Sequence, residues 1–511
     1  MSCFSRSIVA SGHQLVSEAA AEVLRGGGNA FDAAVAAGFA GAVAEPCLTS
    51  LGGGGFLLAR TAGARQSGQE VFFDFFVDTP GKGLARQPKP HFFPVTVKFG
   101  GSDQDFNIGL GSVAVPGTLK GLLHVHQRLG YMDLKDVLHP AMKLAKGHVV
   151  SDFQGVFMQL LYPIMTLTET GRALYEPGGK YLTAGDILVN PQMAAFLESL
   201  AGDGGACFYS GHIAEAIVRD MEEGNGLITA EDLAGYQVIE RKPLKVAYGK
   251  HTFFTSPPPS FGGLLIGLSL GLNNQLRGEH TLGTPGYFLQ STAIMQEVEQ
   301  LREQEWEQPE VLTTFMTSEQ LHQAVNTVRL FSRGTTHVSV ADRHGNVASM
   351  TCSNGEGSGY FAPETGIMLN NMMGEDDLHP KGFHSSPPGQ RVGSMMSPSM
   401  LVDKTGQVKL VIGSGGSKRI RTAIIQVLTR IIDHNQSIQE AVDAPRLHWD
   451  GEVLQIEPGV SDEVVAAIKN KVPVNCWEEQ SVYFGGVHTV IPGEDGAGDP
   501  RRGGKAIVVE G

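Results

Sequence analysis

The segment from Ala30 to Glu45 is apolar on every side, and this limits the chain most. Asn29 can N-cap it as a helix and Pro46 ends it. A helix with no polar stripe belongs in the interior. Ala33, Ala37 and Gly41 recur every four residues, so its backbone can lie close against a neighbour. A first helix over His13 to Arg25, with Leu15, Ala19, Val23 and Leu24 at helical spacing, stops at Gly26-Gly27-Gly28. After the buried helix comes Gly52-Gly53-Gly54-Gly55, then a strand from Phe56 to Ala59. Glycine is 66 of 511 residues, about 13% against a usual ~7%.

The rest of the composition excludes whole classes. A 41% hydrophobic fraction argues against disorder, and a net charge of −14 with no basic footprint argues against nucleic acid. Cys3, Cys47, Cys207, Cys352 and Cys476 are scattered with no CxxC pair, which suits reduced thiols. Met1 to Gly12 lacks the apolar run of a signal peptide. The longest apolar stretch, Gly262 to Leu272, is about half of what a ~20-residue membrane helix needs. The expectation is a cytoplasmic protein without a membrane partner. Length alone suggests roughly three domains, a prior that α/β enzymes often exceed as one unit.

Residues 117–240 read as mainly helical, and Ser256-Pro257-Pro258-Pro259-Ser260 must be a loop. Residues 299–333, with Glu303, Glu305, Glu307 and Glu310, read as a solvated connector. From Thr335 the period becomes two. Thr336 to Ala341 and Val347 to Cys352 form a hairpin with Gly345 in a left-handed position. Its pairing follows i + j = 688 (336 + 352, 340 + 348), which brings Thr335 near Ser353, with a bulge that shifts the register by one residue as the alternative. A second hairpin joins Met400–Val402 to Val408–Ile412 and enters Gly413-Ser414-Gly415-Gly416-Ser417. A helix with Ile420, Ile424, Val427, Leu428 and Ile431 on one face follows, then a capping box at Ser437…Glu440.

Strand, glycine loop and helix together can hold negative charge on free N–H groups, as an oxyanion hole or as an ordinary tight turn. The loop matches neither GxxxxGK[ST] nor GxGxxG, so no nucleotide cofactor is indicated, and no HExxH or close His/Asp/Glu cluster indicates a metal. Gly267-Leu268-Ser269-Leu270-Gly271 has the GxSxG spacing but sits in an apolar run that reads as core. Gly334-Thr335-Thr336-His337 offers another chemistry. A cut before Thr335 would free an α-amine, reference pKa ~8, to act as base for its own hydroxyl. From these residues alone an ordinary strand start remains open.

Thr335 to Val340, with Asp342, Gly345-Asn346 and Thr351, resembles the start of the small subunit of γ-glutamyltranspeptidases. The resemblance continues through Gly366 to Asn371, Ser397-Pro398, Gly413 to Ser417 and Ala444-Pro445-Arg446. On the other side it covers Gly27 to Ala34, Leu51 to Phe56, Pro116-Gly117-Thr118, Gly226 to Thr229 and Pro257 to Gly263. It implies an α+β fold, the four-layer αββα sandwich of the N-terminal nucleophile hydrolases. It also implies self-cleavage between Gly334 and Thr335 into fragments of 334 and 511 − 334 = 177 residues, 1–334 and 335–511. The two fragments would stay together as a heterodimer, with a higher homo-oligomer left open. Thr335 would be the nucleophile, Ser353 its hydroxyl partner, Gly415 and Gly416 the oxyanion donors with Ser417 as a one-residue alternative, and Asn354 a contact to the substrate's amino group.

The acyl side departs from the family's pattern. Phe76, in Asp74-Phe75-Phe76-Val77, stands where the family has the arginine for the glutamyl α-carboxylate. Its serine pair appears as Ser394-Met395, and Glu375 stands for the aspartate that binds the amino group. Losing a guanidinium fork removes the strongest recognition of a carboxylate. The expected activity is hydrolysis or transfer of a γ-glutamyl or related acyl group from a small amide, with an acylase acting on non-glutamyl amides as the alternative. An unprocessed binding relative is a third class, against which Gly334, Thr335, Ser353 and the glycine loop all stand.

Overall fold

A computed structural model of the chain describes residues 4–63, 69–84, 89–99, 102–304, 334–379 and 382–511; from residue 305 on, the expected connector lies outside them. The strands that matter are β1 (Arg6–Ser11), β2 (Gly54–Arg60), β3 (Glu70–Phe75), β4 (Ile239–Arg241), β5 (Leu244–Tyr248), β6 (His251–Thr255), β7 (Thr336–Ala341) and β8 (Val347–Ser353). They are followed by β9 (Ser399–Asp403), β10 (Val408–Gly415), β11 (Gly486–Ile491), β12 (Asp495–Ala497) and β13 (Lys505–Glu510). One sheet has the order β13-β1-β7-β8-β2-β3-β4 and the other β12-β11-β10-β9-β6-β5. The helices around them include α1 (Gln14–Arg25), α2 (Ala30–Ala44), α3 (Phe261–Gln275), α4 (Pro285–Gln304), α5 (Arg419–Ile432) and α6 (Ile438–Asp443).

All fifteen residues of α2 are buried, as its composition requires. Asn29 caps it through the amides of Phe31 and Asp32, and the Asp32 carboxylate answers by accepting the Asn29 amide. Of the two glycines in α2, the one outside the Ala33-Ala37-Gly41 row, Gly38, lies nearer to a neighbour. A methyl there would meet Leu122 Cδ2 at 2.6 Å. α1 and α2 cover β7, β8 and β13 from one side, sharing a core with Val9, Leu57, Val338, Val340 and Met350. α5 lies along β10 and buries Ile420, Ile424, Val427 and Leu428.

The β7–β8 hairpin has the expected register, with Thr336 opposite Cys352 and Val340 opposite Ala348. It meets β10 and β11 of the other sheet face to face. That contact is polar at its centre. The His337 ring bonds Thr351 and Ser339 at 2.8 and 3.0 Å, and Ser339 and Ser349 donate to the carbonyls of His488 and Ile412. Burial holds His337 well below its ordinary pKa, so it is neutral. Gly413 is required here: its Cβ would sit 2.2–2.6 Å from the His337 ring.

Two local expectations are settled differently or sharpened. The loop expected over Gly413–Ser417 is shorter, because β10 pairs with β11 as far as Gly415–Gly486 and only Gly416 to Lys418 precede α5. Ser269 of the GxSxG segment is buried within α3 and donates to Leu265 O at 2.8 Å, so it is a core residue. The capping box at Ser437 and Glu440 opens α6 as expected.

Candidate active site

Gly334 and Thr335 lead into β7 at the end of the sheet where β8 gives way to Asn354. Gly334 is tightly enclosed: a Cβ would stand 2.5 Å from Gly355 O and 2.7 Å from Cys47 O. The Gly334 carbonyl is held from two sides. Thr335 Oγ1 donates to Gly334 O at 2.7 Å, and Ser353 Oγ donates to the same oxygen at 2.6 Å. The two hydroxyls are 3.5 Å apart, and the Gly355 amide donates to Ser353 Oγ at 3.1 Å. One hydroxyl thus lies beside the carbonyl it would attack, while a second polarises that carbonyl.

Thr335 and Ser353 open on a cavity also walled by Phe76, Met372, Glu375, Leu378, Ser394, Met395, Met396, Ser417 and Ile420. The residues expected for acyl recognition, Phe76, Glu375, Ser394 and Met395, are therefore brought together in front of Thr335. Asn354 is not part of this wall; its amide donates to Met368 O at 3.5 Å. Gly415 lies against the Thr335 carbonyl, where a Cβ would come within 2.3 Å of the oxygen. Gly416 has φ +118, while Ser417 is the residue of this loop that reaches the cavity.

Phe76 packs beside Phe56 with ring centroids 5.5 Å apart. The neighbouring Arg391 does not take the place of an arginine at 76. It is engaged behind the strand, donating to the carbonyls of Phe76 and Gln237 and to Tyr236 Oη, with Asp74 and Asp78 at 3.5 and 3.3 Å. Among the described residues, no arginine or lysine lines the cavity.

Three residues around the Thr335-Thr336 pair left no mark in spacing or motif. Arg502 Nη1 donates to Thr335 O at 2.8 Å. Burial lowers the Arg502 pKa to about 10, which still leaves it charged near neutrality. Glu45, the C-cap residue of α2, accepts from Thr336 Oγ1 at 2.9 Å. Its complete burial pushes the carboxyl up to about 7, against the lowering pull of Thr336 and Arg502. His488, on β11, is pushed down to about 3 by burial. Each comes from a segment remote in sequence from Thr335, so only the folded chain assembles them. Among the described residues, no group of three His, Cys, Asp or Glu side chains is placed to hold a metal ion. None of the described helices is long and apolar enough to cross a membrane.

Two hydroxyls, of Thr335 and Ser353, thus meet on one glycine carbonyl at the edge of a cavity. The chain belongs to the γ-glutamyltranspeptidase family, whose model, described as Gamma-glutamyltranspeptidase, matches residues 16–509. It is 34% identical over 490 residues to the Acylase ACY 1 proenzyme of Pseudomonas sp. (strain SE83), covering 91% of this chain and 86% of that one. It is 31% identical over 547 residues to the Glutathione hydrolase proenzyme of Escherichia coli (strain K12), covering 97% and 90%. Its fold is similar to the crystal structure of cephalosporin acylase from Bacillus halodurans, with TM-score 0.81, 22% identity and coverage of 99% and 96%.

Proposed function

We propose that this enzyme of the family is a self-cleaving acylase, releasing an acyl group of largely apolar character from a small amide. The observation that carries this reading is the wall facing Thr335: Phe76, Met372, Leu378, Met395, Met396 and Ile420 are apolar. A buried carboxylate with no cation opposite it would be costly to bind there. The similarity to an acylase proenzyme supports the same reading.

Cleavage begins with Thr335 Oγ attacking the Gly334 carbonyl carbon, while Ser353 Oγ donates to the oxygen that gains charge. The hydroxyl proton passes to the departing nitrogen as collapse breaks the C–N bond, which leaves an ester between Gly334 and Thr335 Oγ and frees the α-amine. Water then releases the Gly334 carboxylate, and Thr335 begins the small fragment with a free α-amine. In the mature enzyme that amine takes the hydroxyl proton as Oγ attacks the substrate's carbonyl. It returns the proton to the leaving amine, and water completes the cycle. The reading includes the expected αββα order of layers, which α1–α2 on one sheet and α5 on the other support.

A second reading, a γ-glutamyl hydrolase or transferase, rests on Glu375, a carboxylate in the cavity wall suited to a substrate amino group. It also draws on the similarity to glutathione hydrolase proenzymes. Mass spectrometry of purified protein tests the shared chemistry: the expected result is two fragments ending at Gly334 and starting at Thr335, and a chain left whole after incubation overturns it. Rates on simple acyl and γ-glutamyl anilides then separate the readings. Faster acyl hydrolysis supports the acylase, and faster γ-glutamyl hydrolysis supports the other.

A further inference from the structure

Beside Thr335, and outside the cavity lining, buried polar groups from four parts of the fold gather. Glu45 from the end of α2, Thr336 from β7 and His488 from β11 surround Gly12, which follows β1. A Cβ on Gly12 would meet His488 Nε2 at 3.1 Å, and Glu45 Oε1 and Thr336 Oγ1 at 3.2 Å. Arg502, in the turn Pro500–Arg502, completes the group through the Thr335 carbonyl. Glycine at position 12 leaves room for these groups to approach each other.

We propose that Glu45 is a positioning residue that governs how readily the α-amine of Thr335 holds a proton, by opposing the positive charge of Arg502. This rests on the reading of Thr335 as an N-terminal nucleophile. The Arg502 guanidinium is one carbonyl away from the atom that becomes the α-amine, and a cation there favours the neutral amine needed as base. An ionised Glu45 works against it and favours the protonated amine. The carboxylate also holds Thr336, the next residue, through a 2.9 Å hydrogen bond, so charge and strand position are set together.

The surroundings leave Glu45 as the group that changes charge near neutrality. The titratable groups facing it are Arg502, His488 and Cys352 of β8. Arg502 stays charged, His488 stays neutral, and burial with the Glu45 charge pushes the Cys352 thiol up to about 12. Asp499, Arg419 and Arg446 act on Arg502 from further out. Glu45 itself caps the negative end of α2, a place that disfavours a carboxylate as burial does.

The test is the pH dependence of kcat/KM of the self-cleaved enzyme on a simple acyl p-nitroanilide. For Glu45→Gln the acid limb is expected to move about 0.5–1 pH unit lower, because the amine then meets only the Arg502 charge. Thr336→Val removes the hydrogen bond that favours ionised Glu45, so its limb moves the same way by a smaller step. This variant decides the matter if Glu45→Gln does not fold or cut. A uniform fall in rate with both limbs unmoved overturns the proposal and leaves Glu45 a structural residue. A wild-type chain that never cuts before Thr335 overturns the nucleophile reading, and this proposal with it.

Discussion

The cavity has two halves built by different means. At the reacting corner, hydroxyls and carbonyls are held by backbone that glycine brings close: Gly334 against Gly355 and Cys47, Gly415 against the Thr335 carbonyl. Facing it, the other wall is made of side chains, Phe76, Met372, Met395 and Met396, carried by loops and one short 3-10 turn. The corner tolerates little change, because a Cβ at either glycine would collide with main-chain atoms. The wall can change its chemistry while leaving those backbone contacts alone. Methionine especially fills irregular space and adapts to different ligands. A family can keep one bond-breaking device and vary the acyl group it accepts.

Substitutions at the corner should therefore be severe. Thr335→Ala removes the attacking oxygen, so no cut at residue 334 and no turnover is expected; mass spectrometry and an anilide assay read both. Amidase activity surviving in that variant would place the nucleophile elsewhere. Ser353→Ala comes next. It deletes the hydroxyl at 2.6 Å from Gly334 O, and loss of such a donor should slow self-cleavage by about 10²–10³-fold. The time course of fragment appearance measures this, and cutting at the wild-type rate would remove Ser353 from the scissile carbonyl.

The two halves also differ in how far the sequence reveals them. The β7–β8 register follows from strict alternation and the Asp342–Asn346 turn, which together fix Thr335 near Ser353. Helix α2 declares its own burial, and its cap is legible in Asn29 and Asp32. What escapes is whatever depends on distant chain segments meeting. Nothing near Arg502 or Glu45 hints that both flank Thr335, since the contacts span 167 and 291 residues. The extent of β10 was missed for a similar reason: glycines at 413 and 415 look like loop until β11 is seen to pair with them. Asn354 is likewise placed only by the folded chain: its side-chain amide donates to Met368 O, and it is not among the residues that line the cavity.

At the wall, effects should be graded. Met395→Ser restores a hydroxyl beside Ser394 in a cavity without a lining cation among the described residues. One added hydrogen-bonding group is worth about 1 kcal/mol, so the ratio of γ-glutamyl to simple acyl hydrolysis should rise roughly fivefold. An unchanged ratio would show that residue 395 does not meet the acyl group.

The smallest effect should come from outside both halves. Asn29→Ala removes the N-cap of α2, whose Oδ1 serves the amides of Phe31 and Asp32 and whose Nδ2 donates to Leu129 O at 2.8 Å. The cost should be about 1 kcal/mol, a fall of about 1–2 °C in the thermal midpoint for a chain this long. Cutting and turnover should stay near wild type, because α2 stays enclosed by the core and Glu45 sits at its opposite end. A variant that melts early yet cuts normally would show that the corner depends on its local backbone. If cutting slowed along with stability, α2 would be transmitting its position through Glu45 to Thr336, and the corner would no longer count as locally determined.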